Sequence, residues 1–212
     1  MTTSREALTD IAAIRIVPVI TIDDESHAVD LAHALAAGGV ACAEITLRTA
    51  AGLPSIEAIS SVAGFTLGAG TVITVDQVDQ VADAGATFIV SPGLDERVVE
   101  RALERGLGVL PGVATATEIQ TALRLSLDVV KFFPADRLGG LDTIAALAAP
   151  FTGVRFVPSG GVSADNAATY LAHPAIFGIS GSWMAPRAAI ASGDFATIER
   201  LSREAASLVP AS

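Results

Sequence analysis

The sequence is poor in the features that mark secreted, membrane and nucleic-acid-binding proteins. A single cysteine, Cys42, excludes an intrachain disulfide and suits a reducing cytoplasm. The formal net charge is −10, which makes an anionic nucleic acid an unfavourable partner. No apolar run is long enough to cross a membrane, and the first residues, MTTSREALTD, lack the basic start and apolar stretch of a secretory signal. We therefore expect a cytoplasmic protein without nucleic-acid or membrane partners.

Aliphatic residues, by contrast, are abundant. Hydrophobic residues make up 51% of the 212 positions, while aromatic residues make up only 5%. This composition is typical of an α/β core, in which helices cover both faces of a parallel sheet. Because no linker or low-complexity segment interrupts the chain, we expect one domain over residues 1–212.

Short apolar runs alternate with amphipathic helical patterns along the whole chain. The eight strand-like runs are RIVPVIT, CAEITL, FTLGAGTV, FIVSPG, GVLPGV, VVKFFPA, RFVPSGG and FGISGSW. Several helical patterns end in glycine, at Gly38, Gly85 and Gly106, as left-handed helix stops do. Eight parallel strands are the number that closes a (β/α)8 barrel, so we favour a barrel over an open doubly wound sheet. The preceding segment, REALTDIAAI, is predicted to be an extra helix over the lower end of the barrel.

The chemistry of a barrel lies at the carboxyl ends of its strands, and strand alternation predicts which side chains reach it. In CAEITLR, Glu44 and Arg48 share the face opposite the apolar Ala43 and Ile45, so they point inward. In VVKFFPA, Lys131 shares the inward face with Phe133. A lysine and a glutamate from two distant strands are thus predicted to meet in one central space.

Lys131 admits two interpretations. Its stem alone can be buried, with the amine in water or in a salt bridge to Glu44. Alternatively, because an amine partly removed from water loses its proton more readily, it can attack a carbonyl to form a Schiff base. The flanking aromatic residues and the inward position favour the second interpretation. Glu44 would then act as the proton shuttle that such chemistry needs, and Arg48 would clamp a substrate carboxylate.

Two glycine- and serine-containing turns follow the seventh and eighth runs. Gly160 and Gly161 lie in PSGGVSADN, and Ser182 lies in SGSW. In barrels the loops at these positions commonly bind phosphate through backbone N–H groups. Thr71, at the end of GAGT, is expected at the same end of the barrel, where the strands terminate. His27, His33 and His173 show no usable ligand spacing, and we predict no metal and no dissociable cofactor.

The motifs VPVIT, GGVACAEITLRT, GAGTV, FIVSPGL, LPGVATATE, KFFPA, RFVPSGGV and GSW occur in this order and together resemble a known family. They closely resemble the 2-keto-3-deoxy-6-phosphogluconate (KDPG) aldolases, also called 4-hydroxy-2-oxoglutarate (KHG) aldolases. The resemblance covers nearly the whole chain. It implies a (β/α)8 barrel, usually a homotrimer, that acts as a metal-independent class I aldolase in the Entner–Doudoroff pathway.

The resemblance also implies roles for single residues. Lys131 matches the Schiff-base lysine and Glu44 the general acid–base. The residues implied to bind the pyruvate part of the substrate are Arg48, Thr71, Lys131, Phe133 and Ser159, and those implied to bind phosphate are Gly160, Gly161 and Ser182. Family members commonly carry threonine where this chain has Ser159; the serine keeps the hydroxyl and loses the methyl group, a change that bears on the stereochemical preference at C4.

Three alternatives stay open. An aldolase with the same chemistry can act on another substrate. The first possibility is 4-hydroxy-2-oxoglutarate, which has glyoxylate as the acceptor aldehyde, and the second is the galactonate epimer of the sugar acid. A phosphate-binding isomerase or epimerase would use Glu44 as its base and Lys131 only as a charge. A non-catalytic binder of phosphorylated sugars would turn over nothing.

Overall fold

The computed structural model describes residues 4–210, which form an alternating series of strands and helices. The strands in this range are β1 (Ile16–Ile20), β2 (Cys42–Thr46), β3 (Thr66–Gly70), β4 (Phe88–Val90), β5 (Gly108–Leu110), β6 (Gly112–Val113), β7 (Val129–Phe132), β8 (Arg155–Pro158) and β9 (Ile179–Gly181). The α-helices are α1 (Ser4–Ile14), α2 (Ala28–Ala37), α3 (Gly52–Ile59), α4 (Val75–Asp83), α5 (Glu96–Glu104), α6 (Ala116–Arg124), α7 (Gly140–Ala148), α8 (Ala164–Leu171), α9 (Arg187–Ala191) and α10 (Phe195–Ala206). Two short 3-10 helices cover Glu25–His27 and Asp136–Leu138.

Every strand pair in this range is parallel, so the predicted parallel α/β fold is confirmed. One sheet has the order β5-β4-β3-β2-β1-β9, and a second has the order β6-β7-β8. Isolated parallel bridges pair Phe156 with Ile176 and Ser159 with Ser180, and they join the β8 side of the second sheet to the β9 side of the first. The strands thus form a curled parallel sheet in two hydrogen-bonded pieces.

The predicted fifth strand, GVLPGV, is divided by Pro111 into β5 and β6. Proline carries no backbone N–H and removes one rung of the ladder. Its carbonyl still accepts a hydrogen bond of 2.9 Å from the backbone N–H of Lys131. The break therefore leaves β7, and the lysine on it, tied to the neighbouring strand.

The helical patterns largely match the observed helices, and the exceptions have local causes. Helix α3 is absent from the predicted patterns because its first residues include Gly52 and Pro54, both poor helix formers. A Cβ atom at Gly52 would lie 2.6 Å from the carbonyl oxygen of Thr46, so packing against β2 requires glycine there. The short helix α9 likewise gives too few residues for a periodic signal.

Two of the three predicted glycine stops are confirmed and one is wrong. Gly85 and Gly106 have left-handed φ values of 97° and 73°. After α2 the left-handed residue is Gly39, with φ 86°, whereas Gly38 has φ −79°. Gly38 is needed for another reason: a Cβ atom there would lie 2.4 Å from the Cβ of Ser202 on α10.

The core lies inside the curled sheet and between the sheet and its helices. Phe88, Phe132 and Phe156 are the largest side chains without solvent exposure. Helix α1 packs on β1, β3, β4 and β5 and buries Ala7 and Ile11 completely. Between residues 4 and 210, no helix is both long enough and apolar enough to span a bilayer.

Candidate active site

A cavity of about 340 Å³ lies where the strands end and their following loops begin. Its walls contain all nine side chains and glycines predicted from the sequence to form the site. These are Glu44, Arg48, Thr71, Lys131, Phe133, Ser159, Gly160, Gly161 and Ser182. The residues of the wall that were not predicted are Val19, Thr46, Pro92, Val162 and Gly181.

Some of these additional residues carried a sequence signal. Thr46 lies on β2 with the same parity as Glu44, and Val19 lies near the end of β1, so alternation and strand position indicated both. Pro92 follows β4 in the motif SPG, whose position at the end of a strand also predicts it near the cavity. His27, His33 and His173 do not line the cavity. Among residues 4–210, no group of three or more His, Cys, Asp or Glu side chains is arranged to hold a metal ion.

Lys131 and Glu44 form a buried charged pair at the floor of the cavity. Lys131 Nζ lies 3.4 Å from Glu44 Oε1, and their side chains are only 9% and 1% exposed. The predicted meeting of strands β2 and β7 at these two residues is confirmed. The amine also lies 5.3 Å from the centre of the Phe133 ring, where a cation is attracted by the ring face.

The environment of Glu44 prepares it to exchange a proton. Burial raises the pKa of Glu44, and the positive charges of Lys131 and Arg48 only partly oppose this. Its Oε2 atom is buried and has no hydrogen-bond partner among the described residues. Gly70 makes room for the carboxyl group, since a Cβ atom there would lie 3.2 Å from Glu44 Cδ. A carboxyl that is hard to ionise can hold a proton at this position and release it.

Arg48 and Thr71 stand at one side of the cavity. Arg48 is exposed, and its guanidinium donates no hydrogen bond to any residue that the structure describes. Thr71 has a φ of 62°, a conformation that a β-branched residue rarely adopts. Such strain costs about 1–3 kcal/mol and is found mainly where function requires it. A free guanidinium beside a strained hydroxyl residue is suited to an anionic group such as a carboxylate.

The loop after β8 forms the opposite side. Gly160 and Gly161 have left-handed φ values of 85° and 89°. The backbone N–H of Asp136 donates to the carbonyl of Gly160, and the side-chain amide of Asn166 donates to the carbonyl of Gly161, both at 2.9 Å. The N–H groups of Gly161 and Val162 find no acceptor within the described part of the chain. With Ser182 nearby, the loop offers donors without acceptors, which is the chemistry of an anion site.

Fold and site together define a class: a parallel α/β protein whose ligand cavity lies at the carboxyl ends of the strands and encloses a buried lysine–carboxylate pair. A comparison with family models narrows this class to one family, because the model of the KDPG and KHG aldolases matches residues 9–201. The chain belongs to this family.

Curated relatives agree with the family match. The 2-dehydro-3-deoxy-phosphogluconate aldolase of Treponema pallidum is 48% identical over 197 residues, which cover 92% of this chain and 94% of that protein. The KHG/KDPG aldolase of Escherichia coli K12 is 42% identical over 191 residues, covering 90% of each chain.

Solved structures agree as well. The 2-keto-3-deoxy-6-phosphogluconate aldolase of Zymomonas mobilis ZM4, crystallised with 3-phosphoglycerate, superposes with a TM-score of 0.89 at 38% identity and covers 96% of this chain and 97% of that chain. The KDPG aldolase of Legionella pneumophila, with pyruvate captured as a covalent carbinolamine, also has a TM-score of 0.89, at 35% identity. It covers 93% of this chain and 96% of that chain.

Proposed function

We propose that this protein is a class I aldolase that cleaves 2-keto-3-deoxy-6-phosphogluconate to pyruvate and glyceraldehyde 3-phosphate. The observation that carries the proposal is the pair of Lys131 and Glu44, with 3.4 Å between Nζ and Oε1, at the floor of an open cavity. Family membership and the carbinolamine trapped in the Legionella relative support the same chemistry. The reaction belongs to the Entner–Doudoroff pathway.

The geometry suits each step of Schiff-base catalysis. Glu44, which burial keeps ready to hold a proton, takes one from Lys131, and the neutral amine adds to the C2 carbonyl of the substrate. Loss of water from the carbinolamine leaves an iminium ion. The electrons of the C3–C4 bond move into this iminium as the C4 hydroxyl gives up its proton, and glyceraldehyde 3-phosphate departs. The enamine then gains a proton at C3, and water hydrolyses the imine to pyruvate and the free lysine.

The two ends of the substrate fit opposite walls of the cavity. We assign the C1 carboxylate to Arg48 and Thr71, with Phe133 and Ser159 against the rest of the pyruvate part. The phosphate is assigned to Gly160, Gly161 and Ser182, whose loops supply N–H and hydroxyl donors. Neither a metal nor a cofactor is needed, because the protonated imine itself withdraws the electrons.

We also propose that the two sheets act as one eight-stranded barrel with β5 and β6 as a single strand. The bridges of Phe156 to Ile176 and of Ser159 to Ser180 support closure between β8 and β9. Helix α1 would then be an additional helix outside the eight repeats, covering the amino-terminal end of the barrel. A cytoplasmic location stays a prediction.

A homotrimer is the proposed assembly. An apolar patch of Ile73, Pro92 and Leu94 supports it, because Ile73 is 54% exposed and flanks a second, largely apolar hollow. Patches of this kind mark contacts between proteins. Since Pro92 also lines the active-site cavity, the proposed interface adjoins the site.

The second candidate is cleavage of 4-hydroxy-2-oxoglutarate to pyruvate and glyoxylate. The Escherichia coli relative, named for both substrates, favours it. A 2-keto-3-deoxy-6-phosphogalactonate aldolase is a third, supported by the likeness to a native KDPGal structure at 29% identity and a TM-score of 0.75. A panel of the three substrates, assayed for pyruvate release, separates them.

Trapping with borohydride tests the chemistry directly. Lys131 is the only lysine in the sequence, so no other side-chain amine competes for the label. Incubation with pyruvate and borohydride should inactivate the protein and add one reduced pyruvyl group to Lys131, located by peptide mass spectrometry. Lys131→Ala should lose both labelling and pyruvate release. Full pyruvate release by a folded Lys131→Ala variant would disprove the Schiff-base mechanism. Isomer turnover without a trapped imine or pyruvate release would instead favour the isomerase alternative.

A further inference from the structure

A salt bridge stands beside the active-site cavity and has no part in the mechanism above. Asp23 follows β1, and Arg187 begins α9 after β9. The guanidinium of Arg187 donates two hydrogen bonds to the carboxylate of Asp23. Nε donates to Oδ2 at 2.6 Å, and Nη2 donates to Oδ1 at 2.5 Å. Both side chains are largely in water, at 61% and 45% exposure.

Arg187 lines a smaller cavity of about 290 Å³ that adjoins the active site. The two cavities share Val19, Arg48 and Ser182 in their walls. Ser182, which the proposed function assigns to the phosphate, therefore lies between the active site and Arg187. An arginine side chain is long enough to reach across a cavity of this size.

A count of charges shows what the phosphate site lacks. Lys131 is already paired with Glu44, and Arg48 is assigned to the substrate carboxylate. The loop of Gly160 and Gly161 supplies N–H donors but no cation. A phosphate dianion entering a chain of net charge −10 gains from a cation nearby, and Arg187 is the remaining one that lines the two cavities.

The resting partner of Arg187 does not prevent this. Exposed ion pairs change an equilibrium by less than about fivefold, because water and salt screen them and holding two side chains costs entropy. A phosphate dianion offers the same planar, two-pronged hydrogen bonding as a carboxylate and carries more charge. The guanidinium can thus exchange Asp23 for phosphate at little cost.

We propose that Arg187 is a specificity-determining residue that binds the phosphate of the substrate, and that Asp23 holds Arg187 in the free protein and competes with the phosphate for it. This inference rests on the proposed function, since it extends the phosphate end of that site. It predicts that removing the charge of Arg187 weakens phosphate binding, whereas removing the charge of Asp23 strengthens it. A purely structural salt bridge would instead give the same loss from either side.

The experiment compares kcat/KM for 2-keto-3-deoxy-6-phosphogluconate with kcat/KM for 2-keto-3-deoxygluconate, and takes the ratio as the phosphate preference. Arg187→Ala should lower this ratio about fivefold to twentyfold, as expected for a charge-assisted contact partly screened by water. Asp23→Asn should raise it about twofold to fivefold. Arg200 and Glu204 on α10 form a similarly exposed pair, 2.7 Å apart, and Arg200→Ala and Glu204→Gln serve as matched controls.

The inference is overturned if Arg187→Ala leaves the ratio within twofold of the unmodified protein, or if Asp23→Asn fails to raise it. Calorimetric titration with glycerol 3-phosphate separates this result from failure of the proposed function. If the unmodified protein releases no pyruvate from either sugar acid, the proposed function fails. The affinity for glycerol 3-phosphate should even then weaken in Arg187→Ala and strengthen in Asp23→Asn, and unchanged affinities would overturn the inference.

Discussion

Lys131 and Glu44 show why a buried charged pair is a sign of chemistry. Removing two charges from water costs several kcal/mol per ion, and the attraction between them often fails to repay it. Two apolar residues of similar volume would serve stability as well or better. The pair lies at the wall of an open cavity, and Glu44 Oε2 has no partner among the described residues, so its position favours reaction over stability.

The proton chemistry of Glu44 gives a prediction about pH. Burial raises the pKa of Glu44 above its ordinary value of 4.5. If the ionised carboxylate is the base in the free enzyme, activity falls as pH drops through this raised pKa. The acid limb of kcat/KM against pH should therefore lie above pH 4.5. Glu44→Gln should lower kcat by about 10²–10⁴ and lose that limb.

Steady-state pyruvate release across pH 4–9 measures both effects, with circular dichroism to show that the variant is folded. Glu57, an exposed carboxylate on α3, provides the control Glu57→Gln, which should keep the normal profile. A folded Glu44→Gln protein with near-normal kcat would move the acid–base role to a water molecule or to another side chain.

At the level of the elements, adjacent strands place large residues against glycine beneath the site. Gly68 on β3 lies in register with Glu44 on β2 and with Phe88 on β4. A Cβ atom at Gly68 would lie 2.2 Å from the Phe88 ring, which has no solvent exposure. The ring thus fills space that only glycine leaves open, in the layer next to the carboxylate of Glu44.

Gly68→Ala should therefore destabilise the protein by about 1–3 kcal/mol, the usual cost of overpacking a rigid core. Urea unfolding followed by circular dichroism measures the change in the free energy of unfolding. Gly153→Ala is the matched control, since a Cβ atom there meets nothing within 4 Å.

Adding Phe88→Leu to Gly68→Ala should recover part of the loss, because the two sites are in contact and their effects do not add. Strictly additive effects of the two substitutions would show that the collision with the ring is not the cause of the instability.

At the level of the whole molecule, the proposed trimer gives a prediction about association, and the apolar patch of Ile73, Pro92 and half-buried Leu94 gives the surface to test. Sedimentation equilibrium of the unmodified protein should give three times the chain mass of 21.5 kDa. Ile73→Asp should shift the protein to the monomer, because a buried unpaired carboxylate is costly at an interface. Leu123 on α6 is also exposed, at 41%, and Leu123→Asp should leave the mass unchanged. A monomeric unmodified protein would contradict the proposed trimer.

The sequence by itself determined the features that follow from local periodicity. Alternation along the strands placed Glu44 and Lys131 on the inward face, and the regular exchange of apolar runs and helical patterns indicated a parallel α/β fold. Such predictions succeed because side-chain direction in a strand depends only on position, and a parallel sheet brings all strand ends to one edge. Lys131, Glu44 and the residues of the strand-end loops meet in one cavity for that reason, whereas Ser159 is predicted by the family resemblance alone.

Only the tertiary structure decided the features that arise from contacts between distant segments. The need for glycine at Gly38 comes from α10, and the need for glycine at Gly68 comes from the ring of Phe88 on the next strand. The salt bridge of Asp23 with Arg187 joins residues 164 positions apart in two loops. Loop side chains follow no period, so their partners are set by how the folded chain brings the loops together, and no local pattern predicts them.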